Sequence, residues 1–301
     1  MTNYLVGTGG WSYFNVPNEP KLKAYSEIFN FVEVNYTFYE YPSVQTVERW
    51  RRTVPKDFIF SVRCHQDLTH KIGLRPTDEA YEVFYKAKTY ADILQTPYMV
   101  LETPTGYAIN NETRGFLSTL NLKAVKVVWE YRAPITQAVT NLMQDFKVIQ
   151  CVDLSKQKPT FNLDVTYSRL FGKGRYNIYQ FTNDELSEIQ HQAEETNSKQ
   201  VILAYHGLRM HSDALRFQQH LKTGNFLSAT SAIGADSVKA VLAEDATFPS
   251  SRSELIKKQG WKVVDVKENL TAHLSEFLNR IPDKNYSSVK EVEQEVEKVI
   301  E

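Results

Sequence analysis

Eight short apolar runs, most followed by a segment of helical periodicity, occupy the chain from about Tyr4 to Lys222. The runs are Tyr4–Thr8, Phe31–Asn35, Phe58–Cys64, Tyr98–Glu102, Ala124–Glu130, Lys147–Asp153, Thr166–Gly172 and Gln200–Tyr205. Helices are expected at Lys21–Phe29, after an N-cap at Ser43 and before Pro55, at Thr77–Gln95, and at Glu112–Leu120. Further helices are expected from Pro134 at the first helical position to Asp145, from Asn183 to Thr196, and at Ser212–Lys222, while 155–165 reads as irregular. Strands separated by helices cannot be joined as hairpins, so they must lie parallel in one sheet. Eight such units close naturally into a (β/α)₈ barrel, typically ~250 residues. An open doubly wound sheet is the competitor, but Gly7-Thr-Gly-Gly-Trp11 lacks the glycine spacing of a dinucleotide-binding turn.

The pattern changes after residue 222, which divides the chain into a barrel over 1–222 and a C-terminal α-rich appendage over 223–301. Helices are expected there at 236–243, 250–259, 268–280 and 287–300, with a strand near 261–266. The chain carries 35 basic and 36 acidic residues, for a net charge of −1. That balance gives no global electrostatic footprint for nucleic acid and argues against such a partner. No apolar run approaches the ~18–20 residues of a membrane span, and the first residues lack a basic and apolar leader. A cytoplasmic protein without a membrane partner is the expectation. Cys64 and Cys151 are too few for a disulfide framework and read as small buried hydrophobes. Oligomeric state is not legible.

Phe29 to Tyr39 reads Phe-Asn-Phe-Val-Glu-Val-Asn-Tyr-Thr-Phe-Tyr. Glu33 interrupts a buried strand, and a buried carboxylate is costly unless paired or used. This stretch, Gly7-Thr-Gly-Gly-Trp-Ser-Tyr13, Pro42-Ser43 with Trp50, Phe58-Ile-Phe-Ser-Val-Arg63 and Thr69-His70 together resemble the YecE-like family, domain of unknown function 72. Glu130-Tyr-Arg132, Asp153 and Tyr167-Ser-Arg-Leu-Phe-Gly172 extend the likeness over about residues 4–215. The resemblance implies a TIM-type barrel and no established activity. The chain departs from the family pattern at Gly9 (usually Ser), Arg63 (usually Lys), Leu101-Glu-Thr-Pro104 and Tyr205-His206-Gly207. The last of these leaves open altered chemistry at strand eight.

In such a barrel the active site lies at the C-terminal ends of the strands. Trp11, Tyr13, Glu33, Asn35, Arg63, His65, Glu102, Glu130, Arg132, Asp153, Arg169, Tyr205 and His206 fall there. The charges form either a ring of ion pairs sealing the barrel top or a polar ligand site. Glu33 and Glu130, on separated strands, are the candidate general acid and base, with Asp153 and His206 as further catalytic candidates. Pairing with Arg63 and Arg132 is the competing role for both glutamates. Arg63, Arg132 and Arg169 are of the type that grips phosphate or carboxylate. Trp11, Tyr13, Asn35 and His70 complete the candidate substrate-binding set, the aromatics serving as packing or as a stacking wall. A divalent metal on Glu33, Glu130, Asp153 and His206 is the alternative occupant, opposed by the arginines and unsupported by ligand spacing. The leading expectation is a hydrolase or isomerase acting on a phosphorylated or sugar-containing small molecule, anionic in character. The alternative is a non-catalytic protein whose barrel mouth holds a nucleic-acid or protein partner.

Overall fold

The barrel begins at its least forgiving residue. Gly7 lies in β1 (Asn3–Thr8), and a Cβ there would stand 1.9 Å from the carbonyl oxygen of Phe31 on β2 (Phe31–Val34). Only glycine permits this approach. Tyr25, on α1 (Lys21–Ile28), donates its hydroxyl to that carbonyl at 2.9 Å and accepts from Thr8 N at 2.8 Å, so one phenol ties the helix to both strands. Gly7→Ala is therefore expected to cost about 3 kcal/mol, read from urea midpoints, because the two nearest atoms are backbone of a paired barrel strand rather than the end of a flexible side chain.

A computed structural model describes residues 2–121 and 125–300. The chain forms two compact units, the first of residues up to 170 with 192–205, the second of 171–191 with 206–300. The first unit is a closed, all-parallel, eight-stranded barrel in chain order. Its remaining strands are β3 (Ile59–Arg63), β4 (Tyr98–Thr103), β5 (Lys126–Tyr131), β6 (Ile149–Val152), β7 (Val165–Leu170) and β8 (Gln200–Tyr205). Of the fifth expected run, Ala124 lies outside the described residues.

Alternation along the strands builds the interior. Leu5, Phe31, Tyr98, Val100, Val128, Ile149, Cys151, Val165, Tyr167, Ile202 and Ala204 form one apolar cluster. The residues two steps further along several of these strands are Glu33, Glu102, Glu130 and Arg169, so the apolar filling gives way to charge toward the C-terminal ends. Both cysteines are buried, as their burial as small hydrophobes requires.

Two local expectations change, at the end of β2 and at the start of the sixth helix, and one further turn appears between them. The run past Val34 coils into α2 (Tyr36–Tyr39), where Thr37 Oγ1 bonds the carbonyls of Val34 and Arg63 at 2.9 and 2.8 Å. A π-helical turn at Asp67–Lys71 carries Thr69 and His70. The helix expected from Pro134 begins at Gln137, as α6 (Gln137–Asp145), because the Thr136 hydroxyl caps it. The helices α3 (Val44–Thr53), capped by Ser43, α4 (Asp78–Leu94) and α5 (Asn111–Thr119) match the pattern closely.

The second unit has its own core, including Val238, Leu242, Leu255, Val264, Leu274, Phe277, Tyr286 and Val292. α7 (Asn183–Glu195) precedes β8, and the second unit's helices include α8 (Met210–Thr223), α9 (Ala235–Asp245), α10 (Arg252–Gln259), which follows the two-residue strand β9 (Ser250–Ser251), and α12 (Val289–Val296). The helix expected over 268–280 is instead a strand, β11 (Leu270–His273), followed by the short α11 (Leu274–Leu278). β11 pairs antiparallel with β10 (Val263–Lys267), and Asn269 adopts φ +58° in the turn between them, a conformation asparagine tolerates better than most residues. No helix among the described residues is long and apolar enough to cross a membrane.

Candidate functional site

The site starts from an electrostatic problem set by register. Glu102 on β4 and Glu130 on β5 stand directly opposite one another, and like charges so placed repel. Glu33 on β2 is 0% exposed. Three guanidiniums resolve the conflict. Arg169 reaches Glu33 Oε1 through Nε at 3.1 Å and Glu102 Oε2 through Nη1 at 2.6 Å, and its Nη1 also contacts Glu130 Oε2. Arg63 pairs with Glu102 and lies 3.9 Å from Glu33 Oε1. Arg132 spans Glu102 Oε1 and Glu130 Oε1, each at 2.9 Å. These pairs join three carboxylates to three guanidiniums among the described residues, and the formal charges of the six groups cancel.

Beneath it, the Tyr167 hydroxyl donates to Glu33 Oε2 at 2.8 Å and shares a 2.7 Å bond with Ser61 Oγ. Burial and the adjacent Glu33 push the Tyr167 phenol well above its usual pKa, so it stays a neutral donor. Burial opposes the Arg169 cation, but Glu130, Glu33 and Glu102 outweigh it and hold its pKa well above the ordinary value. Arg63 is lowered by burial and then by Arg169. Burial pushes the Glu130 carboxyl up, yet Arg169 and Arg132 prevail and keep it below the usual carboxylate range.

The network is graded from inside to outside. Glu33, Arg63 and Arg169 are buried, whereas the Glu130 side chain is 15% and that of Arg132 36% exposed. Arg132 commits Nε and Nη1, and among the described residues its Nη2 makes no hydrogen bond. Asn35 links the network to the loop after β1: its Oδ1 accepts from Arg63, and its Nδ2 donates to Gly9 O at 2.9 Å. The Arg63 guanidinium lies 3.8 Å from the Phe38 ring centroid, and that ring meets His70 edge-on at 5.4 Å. His70 is exposed and bonds Thr69 Oγ1 through Nδ1 at 2.9 Å. Burial, then Arg132 and Arg63, lower its pKa against the opposing pull of Glu102.

Of the residues singled out by sequence, the structure thus brings together Glu33, Asn35, Arg63, Glu130, Arg132 and Arg169, with His70 at the margin. Arg169 lies between Glu33 and Glu130, so these carboxylates face each other across a guanidinium rather than an open pocket. Asp153 is engaged in its own loop: Oδ1 accepts from Ser155 N at 3.0 Å and Ser155 Oγ at 2.6 Å, and Oδ2 lies 3.3 Å from Lys156. Trp11 packs edge-on against Trp50 at 5.3 Å, and Tyr13 is 86% exposed. His206 belongs to the second unit, where its ring stacks on Phe171 at 4.9 Å. Glu102, placed at the rim without a role, and Tyr167 and Ser61, given none, join the network here. Ser61 and Tyr167 share strand parity with Arg63 and Arg169, and that parity is the signal the sequence offers for them. Among the described residues no group of three or more His, Cys, Asp or Glu side chains is disposed to hold a metal ion.

The fold and site define a TIM-type (β/α)₈ barrel protein with a buried glutamate–arginine network at the C-terminal strand ends. Residues 5–233 match the family model described as protein of unknown function DUF72, and the chain belongs to that family. It is 31% identical over 101 residues to the UPF0759 protein YunF of Bacillus subtilis, spanning 34% of that relative. It is 22% identical over 204 residues to the UPF0759 protein YecE of Escherichia coli O157:H7, covering 67% of this chain and 59% of the relative. Among solved structures, a DUF72 family protein from Enterococcus faecalis superposes with a TM-score of 0.59 at 14% identity, covering 74% of this chain and 98% of that one. One from Thermotoga maritima gives 0.58 at 17% identity, covering 73% and 99%. The structural likenesses establish the shared fold.

Proposed function

We propose that the barrel is an enzyme, a hydrolase or isomerase, acting on an anionic small molecule that is phosphorylated or carries a sugar. The observation that carries this reading is Arg132. It is the solvent-touching guanidinium of a neutral network, with Nη2 uncommitted and the Glu130 carboxylate beside it. An incoming phosphate or carboxylate meets a preset cation there, with a proton-transfer group alongside. The buried members hold this pair in place: Arg169 fixes Glu130, while Tyr167 and Glu33 fix Arg169. A buried ion-pair network is weak value for stability alone, which supports a use for it. Barrels of this kind carry their chemistry at this end, and that support is by analogy.

Calorimetric titration with inorganic phosphate and with hexose phosphates tests the reading. The wild type is expected to bind, and Arg132→Met to weaken binding by about 10- to 100-fold, the worth of hydrogen bonds to a charged group. Equal affinities in the two proteins would contradict it. The alternative, a non-catalytic protein with a macromolecular partner, draws support from the exposed tyrosines Tyr13, Tyr36 and Tyr39 near the ends of β1 and β2. Turnover that disappears in Glu130→Gln while ligand binding persists decides for the enzyme.

A further inference from the structure

The carboxylates of the network do not depend on Arg132 equally. Glu102 Oε1 bonds Arg132, while its Oε2 also holds Arg63 and Arg169. Glu130 Oε1 bonds Arg132, and among the described residues its Oε2 bonds Arg169 alone. Withdrawing Arg132 therefore leaves Glu102 with two guanidiniums and Glu130 with one. It also leaves three carboxylates against two cations in a largely buried setting, where an uncompensated charge is costly. The simplest neutralisation is one proton, and the least compensated carboxylate oxygen is Glu130 Oε1. That atom belongs to the most exposed carboxylate of the three.

Resting on the anion-binding reading above, we propose that a bound anion draws Arg132 off Glu102 and Glu130, and that Glu130 takes up a solvent proton at Oε1 in consequence. The substrate's own charge thereby converts Glu130 from a paired carboxylate into a general acid beside the bound molecule. Free enzyme keeps Glu130 ionised, because Arg169 and Arg132 together outweigh its burial. Other charged or titratable groups face this position: Glu102 stands opposite it on the adjacent β4, the buried thiol of Cys151 lies on the adjacent β6, Arg63 on β3 feels its charge, and Glu33 on β2 shares Arg169 with it. His70, on its π-helical turn, lies within the field of Arg132 and Glu102 and is the competing proton acceptor.

Sulfate is the probe, since it has no proton to exchange in the relevant range. Titration of the full chain with sulfate near pH ~6, in two buffers of different ionisation enthalpy, counts protons taken up on binding. The expected result is about half to one proton per sulfate, equivalently about three- to tenfold tighter binding for each unit fall in pH. Glu130→Gln is expected to bind sulfate without proton uptake, and His70→Gln to retain it. Binding without uptake in the wild type overturns the inference and leaves the anion site standing. Uptake that persists in Glu130→Gln, or vanishes in His70→Gln, places the proton elsewhere and also overturns it. An absence of sulfate binding removes the anion site itself, and the inference with it.

Discussion

Replacing Arg169 with methionine is expected to destabilise the barrel by about 3–5 kcal/mol at neutral pH, the cost of breaking a buried ion pair from one side. Methionine keeps much of the volume, so the loss is electrostatic rather than a cavity. Glu33, fully buried, retains Tyr167 and an Arg63 atom 3.9 Å away. Glu130 retains Arg132. The sign of the pH dependence distinguishes this cause from a general packing defect. In the wild type the folded-state pKa of Glu130 is depressed. Its contribution is therefore present above the unfolded carboxylate value and is lost as pH falls through the folded one. In Arg169→Met a carboxylate must take a proton to stay buried, so its folded pKa rises above the unfolded value. The stability deficit should then shrink as pH falls toward the ordinary carboxylate range and widen as pH rises. Urea unfolding across that range measures both slopes. Parallel profiles for the two proteins would contradict the electrostatic account.

Glu130→Gln carries the largest expected effect on activity. Once a substrate is found by screening phosphorylated sugars, kcat is expected to fall about 10²- to 10⁴-fold with KM changed far less. Glutamine matches the shape and still accepts one hydrogen bond, but it can neither gain nor release the proton. Glu33→Gln, although on the same network, should act through Arg169 and the fold, because Glu33 has no exposed surface. A Glu33→Gln variant that unfolds more readily yet keeps its pH–rate profile would fit this division of labour. An unchanged kcat in Glu130→Gln would end the acid–base assignment.

The barrel was legible because a parallel sheet writes its own period. Runs such as Phe58–Cys64 and Gln200–Tyr205, set between helical segments, leave few topologies open. The cap at Ser43 was legible, where a hydroxyl precedes a helical face. The 268–280 segment misled because its turn, Glu268-Asn269, contains neither glycine nor proline, and Leu270–His273 is too short to show its own alternation. At the site, strand-end position picked out five of the six charged residues as site candidates and listed the sixth, Glu102, at the rim. What position could not supply was depth. Glu33 and Glu130 look equivalent in sequence, each a glutamate near a strand end. Their difference in exposure arises from how far Arg169 reaches across the barrel and from the Tyr167 phenol beneath Glu33. Such contacts, between residues 39 to 136 positions apart, leave no local trace.

A crystal of this protein soaked in sulfate, examined at the C-terminal strand ends, tests the central claim most directly. Sulfate is expected on the Arg132 guanidinium, beside Glu130, with Arg132 drawn away from the oxygens of Glu102 and Glu130. Ordered sulfate only elsewhere on the molecule, with Arg132 still bridging both carboxylates, would contradict it.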